Sequence, residues 1–189
     1  MSKSSATAAR RFASALALLA FAGPTIGARA QVPAAIAAAD ATAVATFHAE
    51  GAQIYECKSG SDGKLAWAFR EPIAALTRDG RTTGRHYAGP TWEDADGSAV
   101  VGKVAASAPG ATADDIAWLK LDVTARHGSG ALAEVDVVQR INTMGGALHG
   151  ACEAAGALRS VAYSADYVFL RNARTALPPG GASPAPNKF

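Results

Sequence analysis

The chain has 189 residues, 49% of them hydrophobic, with 18 basic and 16 acidic side chains for a net charge of +2. The basic surplus belongs to the first thirty residues alone: Lys3, Arg10, Arg11 and Arg29 stand there without an acid, leaving fourteen basic against sixteen acidic residues, net −2, in the remainder. No cluster of Lys and Arg is left to act as an electrostatic footprint, which argues against nucleic acid as a partner.

Residues 1–30 read as an export signal. A positive start leads into the apolar run from Phe12 to Ala22, Gly23-Pro24 breaks that run, and Ala28-Arg29-Ala30 places small residues where a signal peptidase reads them. The run is too short to stay as an anchor, since a spanning helix needs roughly 20 apolar residues. Cleavage before Gln31 is expected, with no membrane span afterwards and a periplasmic or extracellular destination. The Arg10-Arg11 pair raises a twin-arginine route, although Phe12 follows the pair directly. The 159 residues that remain suffice for one domain with a proper hydrophobic core.

Residues 31–43 form an alanine-rich arm, compatible with a short helix or a loosely held segment. From Val44 to Cys57 the residues favour a strand, with Gly51 as a candidate bulge. Leu65, Trp67 and Phe69 alternate with Ala66, Ala68 and Arg70. Ala111 to Ile116 has room for a single helical turn. Leu119, Leu121 and Val123 alternate with Trp118, Lys120 and Asp122; Val135, Val137, Gln139 and Ile141 alternate with Glu134, Asp136, Val138 and Arg140. Val161, Tyr163, Ala165, Tyr167 and Phe169 make a last strand with its aromatics on one face. Breakers such as Arg78-Asp79-Gly80, Asp96-Gly97, Pro109-Gly110 and Gly128-Ser129-Gly130 fall between the runs. These features predict an all-β domain over 44–171, an antiparallel sandwich or barrel with at most short helices. Residues 172–189, rich in Pro, Gly and Ala, read as a disordered tail.

The only cysteines are Cys57 and Cys152. In an exported chain such a pair is usually bridged, closing a loop of about 95 residues for roughly 4 to 5 kcal/mol. The alternative is two buried free thiols.

Two polar clusters stand out. In Gly84–Ser98, His86 has Trp92, Glu93, Asp94 and Asp96 nearby, the ingredients of a general base with an acidic partner. The same residues also make ordinary turn chemistry, with Asp96 bonding to local backbone and Trp92 in the core. In Gln139–Gly146, Arg140 and Asn142 could bind a carboxylate or sugar through forked hydrogen bonds. Asp166 is a candidate cross-strand partner for Arg140. The four histidines are scattered without ligand spacing, and no nucleotide or phosphate-loop fingerprint occurs, so neither a metal nor a cofactor is expected.

The order Gln53-x-Tyr55-x-Cys57, Trp67, His86-x-x-Gly89-Pro90-x-Trp92, Asp96-Gly97-Ser98, Gln139-Arg140-x-Asn142-Thr143-x-Gly145-Gly146, Cys152 and Tyr163-Ser164-Ala165-Asp166-Tyr167 resembles a family of exported bacterial and fungal proteins defined only as a domain of unknown function. The resemblance covers about residues 44 to 170. It implies one exported domain with Cys57 paired to Cys152. The chain departs from the pattern at Ala147-Leu148-His149, where a proline is expected shortly after the paired glycines.

The function expected from these readings is a non-catalytic binding or cell-envelope domain, its partner an unknown small molecule or envelope component. Recognition would involve His86, Trp92, Asp96, Arg140 and Asn142, presented on loops of a rigid scaffold. The alternatives are a hydrolase or isomerase using His86 with an acidic partner from Glu93, Asp94 or Asp96, and a purely structural exported domain.

Overall fold

The computed structural model describes residues 31–173. The leader expected over 1–30, and the tail from residue 174 onward, lie outside the described residues. Eight strands follow in order: β1 (Ala41–Ser59), β2 (Leu65–Arg78), β3 (Arg81–Tyr87), β4 (Thr91–Asp94), β5 (Ala99–Ala108), β6 (Trp118–His127), β7 (Val137–Gly145) and β8 (Leu158–Asn172). Each pairs antiparallel with the next, and β8 returns to pair with β1 from Asn172 opposite Ala41 to Leu158 opposite Glu56. Of the two expected architectures, the sheet thus adopts the barrel. Up-and-down order sends the β1–β2, β3–β4, β5–β6 and β7–β8 connections to one end, the mouth. The other three connections gather at the opposite end.

Alternation decides what enters the bore. On β8 it places Tyr163, Ala165, Tyr167 and Phe169 inside, and on β6 Leu121. The half of the bore remote from the mouth is occupied by large apolar side chains. Phe47 and Phe169 meet there with ring centroids 5.1 Å apart, and Leu132 and Val135 from the β6–β7 connection close it.

On β7 the alternation holds, but the faces are the reverse of what its apolar residues imply. Val138 and Arg140 point inward, while Ile141 and Gln139 are buried on the outside. The alanine-rich arm causes this. It forms only a 3-10 turn at Ala34–Ile36, yet Ile36 is fully buried against Ala108, Trp118 and Ile141, and the Gln139 side-chain amide donates to the Ile36 carbonyl at 2.6 Å. One isoleucine thus docks a segment whose composition alone gave little reason to dock. The segment 111–116 is a hydrogen-bonded turn and not a helix: the Asp115 carboxylate captures the Thr112 N–H and hydroxyl at 2.9 and 2.8 Å.

Gly51 is not a bulge. The register shifts of β1 fall at Ala43/Ala45 and Ile54/Tyr55. Gly51 faces the bore where the β2 backbone comes close, and a Cβ there would lie 2.1 Å from the Ile73 carbonyl oxygen and 2.5 Å from the Ala74 Cα. Both clashes are with backbone, which cannot rotate away. Asp79 and Gly80, with φ of 51° and 73°, form the tight β2–β3 turn that their sequence predicts.

Cys57 and Cys152 are bridged, with Cα atoms 5.8 Å apart. The bridge ties the end of β1 to the β7–β8 connection at the mouth, where Cys57 also exchanges backbone hydrogen bonds with Gly156 and Ala157.

Two outcomes follow for stability. Gly51→Ala should lower the unfolding free energy by about 2 to 4 kcal/mol, read from urea denaturation, because the strand must move off β2. Reduction of the bridge should cost about 4 kcal/mol on the same measurement, while the far-ultraviolet β signal persists at low denaturant.

Candidate functional site

The half of the bore nearer the mouth is not filled. It holds a cavity of about 670 Å³, open at the mouth and mostly apolar. Such a volume lies within the range of small-molecule sites, and an eight-stranded bore is wide enough to hold one small ligand.

His86, Trp92 and Tyr167 form its floor. His86 on β3 and Trp92 on β4 are register partners, which stacks their rings at 4.5 Å and 6°. Tyr167 meets both rings edge-on, at 4.9 and 5.2 Å. This aromatic layer separates the packed half of the bore from the open half.

The polar chemistry sits on that floor. His86 is 3% exposed, and its Nδ1 lies 2.8 Å from the Thr91 carbonyl oxygen. A carbonyl only accepts, so Nδ1 carries the proton and Nε2 is left as an acceptor with no partner among the described residues. Burial lowers the imidazole pKa to about 4, against a smaller opposing effect of the Thr91 bond, and the Arg140 charge lowers it further. The Nε2 of Gln53 and the Nε1 of Trp92, both on lining residues, are buried N–H donors without a partner. Tyr167 and Tyr163 face each other with hydroxyls 3.4 Å apart, and both phenols are raised well above their ordinary pKa, chiefly by burial.

Arg140 enters the cavity from β7. Its Nε and one terminal nitrogen donate to the Ala117 carbonyl at 3.0 and 2.8 Å. The rim is held by the Thr143 hydroxyl on Ile116 O at 2.6 Å, by the Gly145 N–H on the Asp115 carboxylate at 2.6 Å, and by the Tyr55 hydroxyl on Gly146 O at 2.7 Å.

Of the residues expected to form a site, His86, Trp92 and Arg140 come together here, on strands and not on loops. Asp96 and Asn142 do not join them. Asp96 lies in the β4–β5 turn at the packed end, accepting from the Ser98 N–H, the Ser98 hydroxyl and the Ala131 N–H at 2.8, 2.6 and 2.7 Å. These bonds hold its carboxyl below the usual range, the Ser98 hydroxyl first. Asn142, with φ of 51° at a break in the β7–β8 register, donates to Asp166 at 2.8 Å. Asp166 also takes His48 at 2.8 Å, so it is not the partner of Arg140.

The acidic partner sought for His86 is missing for a geometric reason. Glu93 alternates with Trp92 and therefore points outward, where Arg85 and the Tyr87 hydroxyl hold it. Asp94 faces Arg78 at 4.0 Å, and Asp96 is bound at the far end. Gln53, Tyr55, Phe69 and Tyr167 line the cavity without being among the expected site residues. Period-two reading assigns inward aromatics to the core, and only their place in the Gln53-x-Tyr55 and Tyr163–Tyr167 motifs marked them out.

The fold and cavity define a closed up-and-down β barrel with a mouth-side pocket floored by a neutral histidine. The chain belongs to the family described as a protein of unknown function, DUF3455, whose model matches residues 37–171. No curated protein and no solved structure matches it.

The buried imidazole makes stability depend on pH. Above about 6.5 it is neutral in both the folded and the unfolded chain. As the pH falls the unfolded chain takes up a proton that the folded chain resists until about 4, so stability is lost through that window. Between pH 7 and pH 4 the native protein should lose about 3 kcal/mol more than His86→Phe, measured by denaturant titration at both pH values.

Proposed function

We propose that this is an exported, non-catalytic binding protein that holds one small, largely apolar molecule in the mouth-side half of its barrel. One observation carries the reading: the far end of the bore is occupied by Phe47, Phe169, Leu132 and Val135, whereas the mouth end keeps about 670 Å³ free above a polar floor. A barrel with only a structural role would fill its bore with side chains, because empty apolar volume forfeits packing contacts. Unpaired buried donors at Gln53 and Trp92, beside the free acceptor of His86, are costly unless a ligand or water meets them. His86 supplies the acceptor for a ligand hydroxyl or N–H.

Catalysis by His86 is the weaker reading. No carboxylate among the described residues orients its ring, and an imidazole whose pKa is near 4 is poorly matched to proton transfer at neutral pH. Export is supported by the leader pattern over residues 1–30 and by a bridge of the kind that persists in oxidising compartments.

Native mass spectrometry of protein recovered from its own exported compartment tests this. The expected result is a chain beginning at Gln31, two hydrogens lighter than its reduced form, carrying one defined extra mass that is lost on denaturation. Leu119→Trp, which fills the cavity from β6, should come out bare. A native chain that is also bare, or extra mass that Leu119→Trp retains, would count against the cavity as the binding site.

A further inference from the structure

The ligand class can be narrowed from the charges that line the cavity, given that the cavity binds a small molecule at all. Three charged side chains line it besides the neutral floor: Arg70, Asp115 and Arg140. Arg70 sits at the exposed rim and is paired with Glu71 at 3.1 Å. Both Asp115 oxygens are taken by the Gly145 N–H and by Thr112. Arg140 differs from both. Among the described residues its hydrogen-bond partner is the neutral Ala117 carbonyl, and no carboxylate is placed as its counter-ion.

A guanidinium cannot lose its proton to escape this position. Half-buried beside an apolar lining, its charge is less well solvated than at an open surface, and an anion within hydrogen-bonding reach would stabilise it. The group is also held still. Two bonds to one carbonyl fix the plane of the fork, while the remaining N–H donors have no described partner. A fixed, flat donor edge matches the two oxygens of a carboxylate. A phosphate monoester would bring nearly two negative charges to a recess that offers one positive charge.

We propose that the ligand is an amphipathic monocarboxylate whose head group pairs with Arg140 and whose apolar body lies against the cavity's apolar lining. Phe69, Pro72, Pro90 and Val104 give that body an apolar wall. Phe69, half-exposed at the rim, can cover an apolar chain, whereas Arg140, half-buried on β7, is the lining cation with no carboxylate partner among the described residues.

Isothermal titration of the disulfide-bonded protein with two matched pairs of probes tests this: decanoate against decanamide, and 1-naphthaleneacetate against 1-naphthaleneacetamide. Within each pair the body is shared and only the charge differs. Each carboxylate should bind about tenfold or more tighter than its amide. Arg140→Gln should erase that margin while leaving amide binding in place, and Arg140→Lys should keep part of it; amide binding and the thermal midpoint report whether each variant is folded. Equal binding of acid and amide by the native protein would overturn the carboxylate assignment and leave the binding function standing. Survival of the margin in Arg140→Gln would overturn it too, by assigning the anion to another group. Failure of all four probes to bind would overturn both this assignment and the binding function.

Discussion

Closure of the sheet between β1 and β8 fixes everything else about this molecule. The two longest strands, of 19 and 15 residues, pair along almost their whole lengths and remove both edges of the sheet. A closed sheet of eight strands has a bore of set diameter, so the contents of that bore become a question of which side chains alternation sends inward. At Gly51 the β2 backbone approaches β1 so closely that no side chain fits. The bridge from Cys57 to Cys152 then pins the end of β1 to the β7–β8 connection at the mouth.

Within that frame the chain spends its large side chains unevenly. Phe47, Phe169, Leu132 and Val135 plug one end, and the stacked pair of His86 and Trp92 caps the plug. Beyond the cap the inward positions carry residues that line a space without closing it: Gln53, Tyr55, Leu119 and Arg140. The division of the bore into a packed half and an open half is therefore a matter of residue choice at particular inward positions, on strands that are otherwise continuous. The same cap explains the electrostatics. His86 is held neutral because burial, helped by the Arg140 charge, outweighs the Thr91 carbonyl bond that favours its charged form, whereas Arg140 has no neutral form to adopt.

The two polar clusters visible in the sequence separate once the chain is folded. His86 and Asp96 are ten residues apart, yet they sit at different depths of the barrel, because β4 carries the chain from the cavity floor to the packed end in between. Arg140 and Asn142 are two residues apart, but a break in the β7–β8 register and the left-handed backbone at Asn142 take the second to a pair with Asp166 away from the first. Conversely, Gln53, His86, Arg140 and Tyr167 span most of the domain and meet in one cavity. Sequence proximity misleads here because a strand advances about 3.3 Å per residue and alternates faces, so near neighbours diverge while residues at matching heights on different strands converge.

The sequence by itself determined the local physics: period-two alternation for the strands, turn chemistry at Asp79-Gly80 and Asp96-Gly97, and a pairing of two lone cysteines. These depend on residues within a few positions of one another or, for the cysteines, on there being only one pair to make. Only the tertiary structure decided that the sheet closes into a barrel and is not a sandwich, that β7 turns Arg140 inward and buries Ile141 under the arm, and that half the bore is left open. Those outcomes depend on which strand meets β1 and on what covers an outer face, and both are set by contacts across a hundred residues or more, as between Gln139 and Ile36. Alternation names the two faces of a strand; the partner packed against each face decides which one is the inside.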